Sequence, residues 1–103
     1  DTGVSGRVAQ AMGEKIYEIS TESQVLCITH LPQVAAMSDV HKLIEKAEVN
    51  GRISTTARDL TEQEKIEELS RMMTGMTITD TAKQHGEQLL KLAEQYKQKV
   101  FAN

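Results

Sequence analysis

The sequence predicts an α/β fold. Three observations carry that prediction: a helical pattern running into a short apolar stretch at 24–29, an Asn50-Gly51 dipeptide between two extended runs, and two capped helices toward the carboxyl end. Helix feeding strand is half of a βαβ unit, the building block of parallel sheets covered by helices.

The elements follow in order. Asp1 to Gly6 are turn formers, and Ser5 suits the N-cap of the first helix because its hydroxyl can accept from an otherwise unpaired backbone amide. Val8, Met12, Ile16 and Ile19 then recur at four, four and three residues, the spacing that lines one face of a helix. Ser20 to Ser23 form a polar break. Gln24 to Thr29 read as a buried strand that delivers His30 to its carboxyl end, with Cys27 as a small core residue. Pro32 fits the first turn of a helix, where its missing N–H is no loss, so a short helix is expected over 32–37. Val40 to Val49 and Arg52 to Asp59 flank Asn50-Gly51, which tolerates the positive φ angles of a two-residue hairpin turn. Thr61-Glu62-Gln63-Glu64 is a capping box. It opens a helix carrying Ile66, Leu69 and Met73 that Gly75 stops in a left-handed cap. Thr79-Asp80 caps a longer helix with Ala82, Leu89, Leu92, Ala93, Tyr96 and Val100 on its apolar side. The sequence holds no internal repeat and no low-complexity stretch.

Composition narrows the function. At 103 residues the chain is of single-domain size, and with one Phe, two Tyr and no Trp its core must be aliphatic and Met-based. Few aromatics mean few platforms for stacking bases. Twelve basic against fifteen acidic residues give a net charge of −3, which disfavours DNA binding by this segment alone. A single Cys excludes an internal disulfide, and no signal peptide or long apolar run is present, so a cytoplasmic protein is expected, with no membrane partner.

His30 is the residue best placed for chemistry. Ligands of parallel α/β sheets sit beyond the strand carboxyl ends, and an imidazole there can donate to an anionic oxygen or meet an attacking water. Gln33, one residue past Pro32, offers an amide to a water or a neighbouring loop. Cys27 and His30 have opposite strand parity, which argues against a catalytic pair. His41 and His85 lack the tight spacing of a zinc site, so no metal is assigned. Glu62, Glu64, Glu67 and Glu68 with Lys65 and Arg71 read as a solvated helix face.

Two stretches carry a family resemblance: Asp-Thr-Gly-Val-Ser-Gly-Arg-Val-Ala-Gln at 1–10 and Leu-Cys-Ile-Thr-His-Leu-Pro-Gln-Val-Ala-Ala at 26–36. Together they closely resemble the head of the RecN family, bacterial DNA-repair ATPases of the SMC/ABC class. Glu-Glu-Leu-Ser-Arg-Met-Met-Thr-Gly at 67–75, Thr81-Ala82 and the helix at 85–93 look like that family's carboxyl end, so the likeness covers most of the chain. The 26–33 motif is its most specific part. The resemblance implies that residues 1–103 form the C-terminal lobe of an ABC/SMC-type P-loop ATPase head. By resemblance His30 is the H-loop histidine that senses the γ-phosphate and counts as catalytic. Asp1, Ser5 and Gly6 belong to a D-loop at 1–6 that crosses to a second head and approaches its nucleotide.

No Gly-x-x-x-x-Gly-Lys-Ser/Thr phosphate loop and no Leu-Ser-Gly-Gly-type signature occurs here, and Walker B carboxylates are expected upstream of Asp1. The opening lacks a methionine, so a chain that starts inside a longer protein is expected. ATP and Mg²⁺ are then the ligands of the complete parent, an ATPase, and the segment alone should bind neither tightly nor hydrolyse ATP. Implied partners are the rest of the head and a second head in a homodimer, with DNA contacted through other parts of the parent, near the nucleoid. Apolar faces meant for missing neighbours predict self-association of the isolated segment. A stand-alone protein-interaction module is the alternative from another class. A small hydrolase using His30 as base is a third, without any paired nucleophile at a recognisable spacing.

Overall fold

A computed structural model describes residues 5–75 and 78–102. In chain order it contains α1 (Gly6–Ser20), α2 (Pro32–Ala35), β1 (Lys42–Val49), β2 (Arg52–Asp59), α3 (Glu62–Thr74) and α4 (Asp80–Ala102). Helices and a small sheet are both present, as expected for an α/β segment. Among the described residues the sheet has two strands, paired antiparallel from Lys42↔Asp59 to Val49↔Arg52.

Local signals set the element ends. The Ser5 hydroxyl accepts from the Val8 amide at 3.3 Å and starts α1. At α3, Thr61 Oγ1 accepts from the Glu64 amide at 3.2 Å while Glu64 Oε1 accepts from the Thr61 amide at 2.9 Å, which completes the capping box. Gly75 ends that helix at φ 80°, in the left-handed region. Thr79 Oγ1 accepts from the Ala82 amide at 3.1 Å at the start of α4. Asn50 at φ 51° and Gly51 at φ 77° make the two-residue turn between the strands, both in the positive-φ region such a turn requires.

The core lies where α3 and α4 meet the segment around α2. Tyr17, Ala35, Ala36, Met37, Leu69, Leu90 and Ala93 form it, with Ile66, Met72, Leu89, Tyr96 and Val100 packed at its rim. α3 and α4 approach at backbone distance: a Cβ on Gly86 would stand 2.5 Å from Ser70 Oγ and 2.7 Å from the Ile66 carbonyl. The hairpin stands outside this core, with only Leu43 half-buried along its strands. Arg58 ties it to α3 by donating to Glu64 at 2.8 Å.

Several expectations need correction. The predicted buried strand at 24–29 forms neither strand nor helix, and its apolar residues lie open, Leu26 at 85% and Ile28 at 95% exposure. A strand exists only through a neighbour's hydrogen bonds, and among the described residues β1 and β2 pair with each other alone. Cys27 is exposed with the rest of that run, outside the core. α1 turns inward a face other than its apolar stripe. Ala9, Gly13 and Tyr17 are buried, whereas Val8, Met12 and Ile19 are 43–50% exposed. The reason is the closeness of α2: a Cβ on Gly13 would lie 3.0 Å from the Gln33 carbonyl oxygen, a distance that excludes a bulky stripe. Of the apolar residues read on α3 and α4, Met73 and Leu92 are exposed, with Met72 and Leu90 taking the inward places. The acidic face of α3 is only partly solvated, since Glu68 is largely covered beneath its ion pair with Arg71.

Candidate functional site

The candidate site is built where α1 begins and α2 begins. Ser5 and Gly6 open α1, and His30 lies at the bend that leads into α2. Between His30 and the helix, the Leu31 amide donates to Thr29 Oγ1 at 3.0 Å, and Leu31 caps the turn that Pro32 starts. The Leu31 carbonyl accepts from Val34 at 3.1 Å and Ala35 at 3.0 Å. His30 thus sits on a turn whose backbone bonds are closed by the helix that follows.

The two openings meet through Gln33. Its Nε2 lies 3.4 Å from where a Cβ on Gly6 would be, so the absence of a side chain at position 6 lets the amide lie against the first turn of α1. The structure therefore brings Ser5, Gly6 and Gln33 to one place, with His30 exposed three residues before Gln33. Asp1, together with Thr2, Gly3 and Val4, lies outside the described residues.

Beyond the end of α2, α4 contributes a polar cluster around Lys97. Lys97, only 7% exposed, donates to the Ser38 carbonyl at 2.9 Å and to Asp39 Oδ1 at 3.0 Å, and its ammonium lies 5.3 Å from the centre of the Tyr17 ring. Phe101 meets the same ring edge-on at 6.2 Å. Burial, followed by the nearby Asp39 and Glu94 carboxylates, pushes the Tyr17 phenol up from its ordinary range. One residue earlier on α4, Tyr96 donates to Glu18 Oε2 at 2.5 Å, and that bond is the main reason its phenol is pushed up to about 12. A signal for Lys97 was present: it continues the stripe Ala82, Gly86, Leu90, Ala93 at helical spacing, an unusual place for a lysine.

Two open grooves lie among the described residues, and neither gathers unpaired positive charge. One of about 210 Å³ between the hairpin and α3 is lined by Arg58, Glu64, Glu68 and Arg71, whose charges already pair with one another. Another, about 520 Å³ along α3 and α4, presents Glu62, Glu87 and Glu94 against Lys91, a balance that repels phosphates. No described helix is long and apolar enough to cross a membrane.

No protein-family model matches the chain. Individual relatives do. It is 58% identical over 97 residues to the DNA repair protein RecN of Halalkalibacterium halodurans and 57% identical over 97 residues to that of Bacillus subtilis, in each case across 94% of this chain. With RecN of Rickettsia conorii the identity is 41% over 92 residues, or 89% of the chain. In each comparison the match takes up 17% of the relative's length. More than half of its residues are thus shared with each of the first two RecN proteins over nearly its whole extent, and the chain belongs to the RecN family, spanning 17% of the length of those curated relatives.

Proposed function

We propose that this chain is the C-terminal part of the ATP-hydrolysing head of a RecN-type protein that acts in recombinational repair of DNA double-strand breaks in the bacterial cytoplasm. The observation that carries this reading is the 58% identity, over 94% of the chain, to a protein named for DNA repair. The open apolar run Val25 to Ile28 and the exposed Val8, Met12 and Ile19 of α1 support it, because both suit burial against the remainder of a head. In that setting the run at 24–29 adds to a parallel sheet, and His30 comes to the strand ends where the nucleotide lies.

Within the complete head His30 donates a hydrogen bond to the γ-phosphate, and the contact tightens as charge develops during hydrolysis. Residues 1–6 reach across to a second head. Gln33, beside Gly6, joins the two loops, so that closure of the head pair is felt at the turn carrying His30. The phosphate loop and carboxylates that hold ATP and Mg²⁺ come from elsewhere in the longer protein, and DNA is engaged by other parts. The isolated chain is inactive.

The experiment is steady-state hydrolysis of ATP by the full-length protein and its His30→Ala variant, with nucleotide binding and circular dichroism in parallel. Turnover is expected to fall by about 10²–10³-fold, as for loss of one donor to developing charge, while ATP affinity changes far less. An unchanged kcat in a folded variant removes His30 from the chemistry. A full-length protein without ATP hydrolysis would favour an interaction module, which the same exposed apolar residues would also serve.

A further inference from the structure

We propose that Lys97 is a positioning residue, which from α4 fixes the exit of α2 and through it the turn that presents His30. The proposal rests on the reading of His30 as the nucleotide-facing histidine. Its starting point is the cost of the residue's own location: an ammonium taken out of water is strongly destabilising unless its bonds are replaced. Position 97 continues a stripe of Ala82, Gly86, Leu90 and Ala93, so an apolar side chain would fit the pattern. Replacing a buried ion by a hydrophobe is often neutral or stabilising, so stability alone does not account for a lysine there.

What Lys97 provides is direction. Its nearby carboxylates are largely in solvent, with the Asp39 side chain 70% and Glu94 56% exposed, so screened attraction is the weaker part of the contact. The short bond to the Ser38 carbonyl, 2.9 Å, and the Tyr17 ring beneath the ammonium define where residue 38 must lie. From there hydrogen bonds run back without a break. Ser38 donates through Oγ at 2.7 Å and through its amide at 3.1 Å to the Ala35 carbonyl; Ala35 donates to the Leu31 carbonyl at 3.0 Å; Leu31 donates to Thr29 Oγ1 at 3.0 Å. Those bonds bracket His30. Val34, Ala35, Ala36 and Met37 are all buried, so this short segment moves as one piece. Tyr17 belongs to α1, whose first turn carries Ser5 and Gly6, and one ammonium therefore holds both candidate loops to the same helix.

The test compares full-length wild type, Lys97→Met, Lys97→Arg and His30→Ala. For Lys97→Met, kcat is expected to fall on the order of 10- to 100-fold, the scale of a small misplacement of a reacting group, with KM within about twofold of wild type. The unfolding midpoint should hold or rise, and amide exchange at residues 34–38 should quicken. Lys97→Arg, which can still donate to the Ser38 carbonyl, should recover most of the turnover. Full kcat in Lys97→Met alongside a large loss in His30→Ala overturns this proposal and leaves the function reading intact. Full kcat in His30→Ala overturns both. Should Lys97→Met fail to fold, Lys97→Gln, too short to reach residue 38 in place, substitutes for it; a folded Lys97→Gln with wild-type kcat sinks the idea equally.

Discussion

Tyr96 and Glu18 join α4 to α1 through a single proton. The phenol donates to Glu18 Oε2 at 2.5 Å, and ionising it would replace a donor by an anion facing a carboxylate. The hydrogen bond, with burial and the charge of Glu18 behind it, pushes this tyrosine up to about 12 from its ordinary 10. A raised folded-state value means the contribution is fully present below pH 10 and lost as pH climbs through about 12. Thermal midpoints of wild type should therefore drop faster between those limits than midpoints of Tyr96→Phe, with tyrosinate absorbance appearing late in wild type. Parallel curves for the two proteins would show that this bond does not hold α4 on α1. At this scale the sequence was legible wherever a residue acts on its own backbone: Ser5, Thr61, Asn50 and Gly75 perform the local tasks their types suggest. Of Lys97 only its odd place in an apolar stripe was legible, and Tyr96 and the meeting of Gln33 with Gly6 were not, because each depends on a partner brought close by tertiary packing.

Among the described helix pairs, α3 and α4 approach each other most closely, and Gly86 is the reason. A methyl group at that position would lie 2.7 Å from the Ile66 carbonyl, part of a helix backbone that cannot swing aside, and 2.5 Å from Ser70 Oγ, itself bonded to that carbonyl at 2.7 Å. Alanine gains about 0.5–1 kcal/mol over glycine in a helix interior, but overpacking of this kind costs about 1–3 kcal/mol, so the clash wins. Gly86→Ala is expected to lower unfolding stability by roughly 1–2 kcal/mol by that difference, read from urea denaturation. A stabilised variant would mean the two helices part more easily than their contact suggests. Close approach of this kind also explains why α3 and α4 were largely readable by face while α1 was readable as a helix only. Spacing at Val8, Met12, Ile16 and Ile19 correctly marks an amphipathic helix, yet the face that meets α2 is the thin one through Ala9, Gly13 and Tyr17. Periodicity reports which side is apolar, and close backbone approach selects for small residues, a preference that hydrophobicity alone does not reveal.

For the whole molecule the question is what becomes of apolar surface that this chain does not itself cover. Leu26 at 85% and Ile28 at 95% exposure lie on the one segment predicted as a buried strand and found unpaired, which is where the α/β pattern in the sequence exceeds what these residues can build alone. Burying two such side chains contributes about 3–6 kcal/mol, at 1.5–3 each. Association costs an estimated 4–15 kcal/mol in lost freedom, so these two residues do not suffice. Adding the half-exposed Val8, Met12 and Ile19 of α1, and backbone bonds along 24–29, brings the balance near even. Weak, concentration-dependent self-association of the isolated chain is the expected result, visible in sedimentation velocity as a mass average that rises with loading. Leu26→Lys with Ile28→Lys should return the chain to monomer while leaving its helical circular dichroism intact, because neither side chain belongs to the core. In the full-length protein the same double change should instead impair folding, since the run would then be inside a sheet. A full-length variant that folds and hydrolyses ATP normally would refute the placement of 24–29 in a parallel sheet, whatever the isolated chain does.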